Sequence, residues 1–113
     1  MSRKLEEKTR IEVAEDKRGH YEILIDNETT RITFHHIEKG QSSGWHNHDL
    51  DYVGYHFGDS DVQIERGGGD APSTMASKKG AATFYEVGDG FEHNVTVVSD
   101  SPLIALEIEY KKP

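Results

Sequence analysis

The chain has 113 residues, and its 21 acidic and 13 basic residues give a formal net charge of −8. This length suits one domain rather than two, and an acidic chain without clustered Lys and Arg is a poor partner for nucleic acid. The lack of cysteine excludes disulfide bonds and zinc–thiolate sites. The sequence shows neither an apolar run of about 18 residues for a membrane span nor the apolar segment of a signal peptide, so we expect a cytoplasmic protein.

The chain begins with a charged arm, residues 1–20, and we expect a single domain over residues 21–113. Only residues 11–14 of the arm have the composition of a strand. The arm is either partly ordered or packs on a partner subunit. Apolar residues make up 34% of the chain and the mean hydropathy is −0.75, which is low for an isolated β-domain. A homodimer that covers further apolar surface is therefore expected.

From residue 21 onward the sequence predicts a series of short strands. Alternating or β-branched segments between Gly- and Asp-rich turns place them over residues 21–25, 30–38, 51–57, 62–65, 81–87, 94–98 and 103–110. Within the second strand, Ile32 and Phe34 share a face with His36, so His36 rather than His35 is expected to point inward. Residues 67–73 are predicted to form a surface loop. No segment has a capped helical period, which indicates an all-β sandwich or barrel.

Two histidines near the middle of the chain are candidate metal ligands. Side chains alternate along a strand, so His46 and His48 would lie on one face, roughly 6.6–6.8 Å apart along the strand. A third imidazole, His93, is available from a later segment. The alternative is a pair of polar strand residues near the surface. Tyr52, four residues after His48, would share the same face.

The residues around these histidines resemble the two motifs of the cupin family. Residues 40–52, Gly-x5-His-x-His-x3-Tyr, resemble the first motif, which ends in Glu where this chain has Tyr52. Residues 88–93 are similar to the second motif, although Gly88 stands in place of its Pro. More narrowly, GWHNHDLDYV (residues 44–53) and GFEHNV (residues 90–95) resemble a subgroup of very small cupins, some of them labelled as β-alanine-degradation cupins. The resemblance covers roughly residues 25–110.

The resemblance implies a double-stranded β-helix, a jelly-roll barrel, with one divalent transition-metal ion (iron, zinc, nickel, copper or manganese). Its ligands would be His46, His48 and His93. Tyr52 is a candidate catalytic residue, and its usual pKa near 10 means that only a bound cation would make it a ligand. The implied function is a metal-dependent enzyme, of oxygenase or Lewis-acid type, acting on a small carbonyl or carboxylate compound. A dioxygenase and an isomerase or lyase are both open. The alternative is a non-catalytic ligand-binding or accessory protein.

Strand alternation also sorts the neighbouring polar residues. His56 shares a face with His46 and His48 and is a candidate lining residue of the cavity. Glu92, next to His93, is expected outside the pocket. Asp49 and Asp51 are expected either to be solvated or to hydrogen-bond a histidine ring nitrogen.

Overall fold

The structure of the chain is a computed structural model that describes residues 14–67, 71–88 and 90–111. Residues 1–13, which form most of the charged arm, lie outside these ranges. The two interpretations of the arm and the division of the chain at residue 20 therefore stay predictions.

The described part of the chain forms nine strands and one turn of 3-10 helix, Glu15–Lys17. The strands are β1 (His20–Asp26), β2 (Thr30–Ile37), β3 (His46–His48), β4 (Tyr52–His56), β5 (Ser60–Arg66), β6 (Ser73–Ser77), β7 (Ala82–Tyr85), β8 (Phe91–Val97) and β9 (Leu103–Tyr110). Within these ranges no helix is long and apolar enough to cross a membrane.

The strands form two antiparallel sheets whose inner faces share one core. One sheet has the order β1-β2-β9-β4-β7 and the other β3-β8-β5-β6. The core contains side chains from both sheets: Ile37, Val62, Val97, Leu103 and Ala105. The alternation of apolar and polar residues thus buries one face of each sheet, as expected for packed antiparallel sheets. The prediction of an all-β fold is confirmed.

Two strands differ from the prediction. No strand was predicted over β6, because its sequence STMAS is short and mostly polar, and pairing with β5 is what makes it a strand. β8 begins at Phe91, three residues before the predicted start. Its first residues pair with β3, which places His93 directly opposite His46.

The prediction that His36 points inward was wrong, since the inner histidine of β2 is His35. The side chain of His35 is 15% exposed and that of His36 is 39% exposed, with Nε2 of His36 bonded to Glu38. The alternation itself holds, but the apolar residues Ile32 and Phe34 lie on the opposite face from His35. The inner face at this end of the sheet contributes to a polar site, so hydrophobicity indicated the wrong side.

The segment before β1 packs on the core. The N–H of Gly19 donates to the carbonyl of Ser42 at 2.8 Å, and the N–H of Ser42 donates to the carbonyl of Lys17 at 2.8 Å. Gly19 also lies directly against Ile37, which is 1% exposed. Residues 17–19 are therefore anchored to the domain.

Replacing Gly19 by alanine should lower the free energy of unfolding by about 1–3 kcal/mol, the usual effect of overpacking a core. The added Cβ would lie 2.5 Å from Cγ1 and 2.9 Å from Cα of Ile37. Urea unfolding followed by circular dichroism measures the change. Gly58→Ala is the matched control, because a Cβ there meets nothing within 4 Å. Equal stability of the two variants would contradict the packing of Gly19 on Ile37.

Candidate metal centre

Three imidazoles converge where β3 pairs with β8. The Nε2 atom of His46 lies 3.0 Å from Nε2 of His48 and 2.9 Å from Nε2 of His93. One ring nitrogen from each of the three histidines lies within 4.8 Å of the other two. The structure thus brings together the three histidines that the sequence analysis singled out.

The backbone around the site fixes the orientation of His46. Nδ1 of His46 lies 2.9 Å from the carbonyl oxygen of Gly44. A carbonyl only accepts, so Nδ1 carries the proton and the lone pair of the neutral ring is on Nε2. Gly44 reaches this position with φ of 79°. On the facing segment, Gly90 has φ of 98°, and a Cβ there would lie 3.1 Å from the carbonyl of His48; this glycine therefore allows the close approach of β8 to β3.

Burial keeps two of the imidazoles neutral. His48 is 3% exposed and His93 is 8% exposed. Burial lowers the pKa of His48. Burial, with the nearby His46 and His48, lowers the pKa of His93 to about 3. Both rings therefore offer lone pairs rather than protons at neutral pH.

A carboxylate that the sequence analysis missed faces the three histidines. Oε1 of Glu107, on β9, accepts a hydrogen bond from Nε2 of His35 at 3.0 Å, and Oε2 lies 3.6 Å from Nε2 of His48. Burial by itself would raise the pKa of Glu107, but the hydrogen bond from His35 and the electrostatic attraction of that ring bring it down to about 2. Glu107 is therefore ionised at neutral pH. A signal existed in the sequence: Glu107 falls on the same alternating face of its strand as Leu103 and Ala105.

Tyr52 lies beside the histidines, on the side that strand alternation predicts. Its ring stacks between those of His48 and Tyr85, with centroid distances of 4.4 and 4.7 Å. It is 4% exposed, and burial, assisted by the charge of Glu107, raises the pKa of Tyr52 above its usual value. A neutral hydroxyl next to the site is thus favoured over a phenolate. Its predicted catalytic role stays a prediction.

The site lies between two cavities. The inner one, of about 370 Å³, lies between the sheets and has a mostly apolar wall, with His46, His93 and Glu107 on one side. The second, of about 290 Å³, is bordered by Arg18, Arg31 and Trp45, and His46 and Glu107 line it as well. Small molecules can therefore contact the histidines from either side.

The other polar residues take the following places. His56 lines the inner cavity, as predicted, whereas Glu92 is outside both sets of lining residues. Oδ1 of Asp51 accepts a hydrogen bond from the N–H of Val87 at 2.9 Å, and no hydrogen bond joins Asp51 to a histidine among the described residues. Asp49 is exposed.

The residues fit a divalent transition-metal ion. Imidazole nitrogen suits iron, zinc, copper and nickel. Two ligands at right angles, each about 2.0–2.1 Å from an ion, are about 2.9 Å apart, and the two short Nε2–Nε2 distances are 2.9 and 3.0 Å. Glu107 supplies a negative charge near three neutral ligands. The three imidazole donors, the tautomer of His46 and the Nε2–Nε2 distances all agree with a three-histidine site.

Comparisons with known proteins identify the fold. No family model matches the chain, and no curated protein sequence does. Among solved structures, a cupin domain from Bordetella pertussis has a TM-score of 0.74 and 28% identity, covering 84% of this chain and 95% of its own. A Klebsiella pneumoniae protein with a double-stranded β-helix domain has a TM-score of 0.64 and 13% identity, covering 87% and 81%. A DMSP lyase from Ruegeria pomeroyi has a TM-score of 0.63 and 17% identity, covering 88% and 51%. The predicted cupin resemblance is confirmed at the level of the fold.

Proposed function

We propose that this chain, a cupin by its fold, is a small metal-dependent enzyme that acts on a small carbonyl or carboxylate compound. In this proposal His46, His48 and His93 hold one divalent ion. The observation that carries it is the convergence of three imidazole Nε2 atoms beside a cavity, with short separations of 2.9 and 3.0 Å. A metal-binding cupin of the small subgroup named above is the family assignment that we favour.

When bound, a divalent ion supplies Lewis-acid polarisation of a substrate oxygen or, if redox-active, oxygen chemistry. The chain's own residues supply the rest. Glu107 places a carboxylate next to His48, and His35 holds that carboxylate in one orientation through its 3.0 Å hydrogen bond. Tyr52 packs on the ring of His48 and offers a neutral hydroxyl. The apolar wall of the inner cavity limits the access of water to the bound compound.

A ligand-binding protein without catalysis is the second candidate function. The observation that favours it is the wall of the inner cavity, which is mainly apolar and has few polar groups, as is usual for small-molecule sites. Such a protein would use the same three histidines and the same cavity, and it would release its ligand unchanged. The cytoplasmic location and the homodimer expected from the sequence stay predictions.

Protein purified without added metal should contain close to one divalent transition-metal ion per chain, as measured by elemental analysis. The same preparation is then screened for turnover of small diketones, thiols and keto acids, with oxygen uptake and product analysis as separate readouts. Turnover supports the enzyme. Tight binding of a compound that is recovered unchanged supports the binding protein. Protein that takes up no ion under any condition would contradict both versions of the site.

A further inference from the structure

The inner cavity runs along the sheets from the three histidines to a second polar end. β4 contributes Tyr52, Gly54 and His56 to the cavity wall. Four residues of extended strand span about 13 Å, so His56 lies about that far along β4 from Tyr52, whose ring stacks on His48. The pairing of β4 with β9 agrees that β4 runs away from the histidines toward His56. Gly54 is opposite Glu107, which faces the histidines, and His56 is opposite Ala105 in the core.

The second sheet shows the same two ends. On β5, Arg66 is opposite His93, and Val62, further from the histidines, is opposite Val97. Beyond Val62 lies Ser60, which pairs with Ser77 of β6. Both sheets therefore place the histidine cluster at one end of the cavity and the start of β5 at the other.

The far end contains buried polar atoms that have no hydrogen-bond partner among the described residues. These atoms are Nδ1 of His56, Oγ of Ser60 and Oγ of Ser77. His56 is 9% exposed and lines the cavity, whereas the two serines are 3% exposed and are not among its lining residues. Nδ1 of His56 is itself fully buried, but the side chain makes no hydrogen bond to the described residues and lines the cavity. Buried polar side chains are nearly always bonded, so His56 is the polar group that a molecule in the cavity meets at this end. Burial lowers the pKa of His56, which leaves the ring neutral, with one donor and one acceptor nitrogen.

The middle of the cavity is apolar and kept open by a glycine. Ile64, Met75 and Val95 pack against the core and border this part of the cavity. Gly54 has no positive φ, so its backbone tolerates other residues, and a Cβ there would make an ordinary contact of 3.5 Å with Tyr85. A larger side chain at this position would project into the cavity beside Glu107, between the levels of Tyr52 and His56.

We infer that the inner cavity binds an elongated small molecule with three parts. Its acidic or carbonyl head lies at the three histidines, its apolar body passes Gly54, and its far end carries a hydroxyl or carbonyl group that hydrogen-bonds to His56. His56 is thus a specificity-determining residue for the compound on which the protein acts. The position of the head rests on the proposed function, whereas the body and the far end rest on the cavity alone.

The test measures binding of two matched series to wild-type protein, with and without loaded metal, by isothermal titration calorimetry. The probes are straight-chain carboxylates from butanoate to decanoate and the same acids with a terminal hydroxyl. Affinity should rise about fourfold per added methylene, since burial of each contributes about 0.8 kcal/mol, until the chain reaches His56. At that length the hydroxylated acid should bind about three- to tenfold more tightly than its plain counterpart.

Two kinds of variant test the assignment of residues. His56→Leu should remove the preference for the terminal hydroxyl, and His56→Asn should restore part of it. Gly54→Val should weaken binding of the longer acids about tenfold and leave metal content unchanged, with Gly54→Ala giving a smaller effect. Thermal unfolding confirms that each variant is folded.

The outcomes separate this inference from the proposed function. Affinity that does not depend on chain length, or a hydroxyl preference that persists in folded His56→Leu, would overturn the inference. Length dependence with equal affinity in metal-loaded and metal-free protein would support the cavity and refute the position of the head at the metal. Wild-type protein that binds no divalent ion would refute the proposed function. The length series, measured on that metal-free protein, would still decide whether the cavity binds the elongated molecule.

Discussion

Replacing His93 by alanine should abolish the binding of a divalent ion, with a loss of affinity of more than about 100-fold. Changes in residues that only orient a ligand already weaken metal binding about 10–100-fold, and His93 supplies one of three converging nitrogens, 2.9 Å from Nε2 of His46. The ring is 8% exposed, so its removal also leaves a space in the wall. His93→Gln preserves more of the volume, and it should lose the ion while retaining more of the stability.

Competition with a fluorescent chelator measures the affinity, and elemental analysis gives the stoichiometry. His36→Ala is the matched control, because His36 is on β2 in the other sheet, points away from the site and is 39% exposed in its side chain. It should bind the ion as wild-type protein does. If the triple alanine variant of His46, His48 and His93 retained one ion per chain, the site assignment would be wrong.

Replacing Glu107 by glutamine should weaken binding of the ion about 10–100-fold, as expected for a group next to the ligands. The change keeps the shape of the side chain and removes its charge. Oε2 of Glu107 lies 3.6 Å from Nε2 of His48, one of the three proposed ligands. In the variant three neutral imidazoles would face the cation without this compensation. His35 would also lose its ionised acceptor.

The matched control is Glu109→Gln, two residues along the same face of β9. Its carboxylate is 7% exposed and receives two hydrogen bonds from Arg31, at 2.7 and 3.1 Å. Loss of this partly buried pair should lower stability with little effect on metal affinity. Equal metal affinity of Glu107→Gln and wild-type protein would show that Glu107 has no role at the ion. An equal loss in both variants would show a general effect of destabilising β9.

The fold was predictable where the pattern of side chains was local and regular. The segments of β2, β4 and β9 were located almost to the residue, because alternating apolar and polar positions follow directly from the geometry of a strand. β6 was missed because its polar sequence carries little of that pattern. The face of β2 was misjudged because its inner side contributes His35 to a polar site rather than apolar side chains to the core.

The sequence alone determined the pairing of His46 with His48 on one strand face and, through the cupin resemblance, the addition of His93 and the presence of Tyr52 beside them. These are consequences of spacing along a strand and of motif. Only the tertiary structure decided that Glu107 and His35 join the site and that His56 closes the far end of the cavity. Glu107 and His35 are distant in sequence from His48 and, like His56, come from strands of the facing sheet, so their places depend on which strands pair and in which register. The hydrophobic pattern and the turns fix the register of one strand on the next, but which strands of two packed sheets face each other is decided only when the whole domain packs.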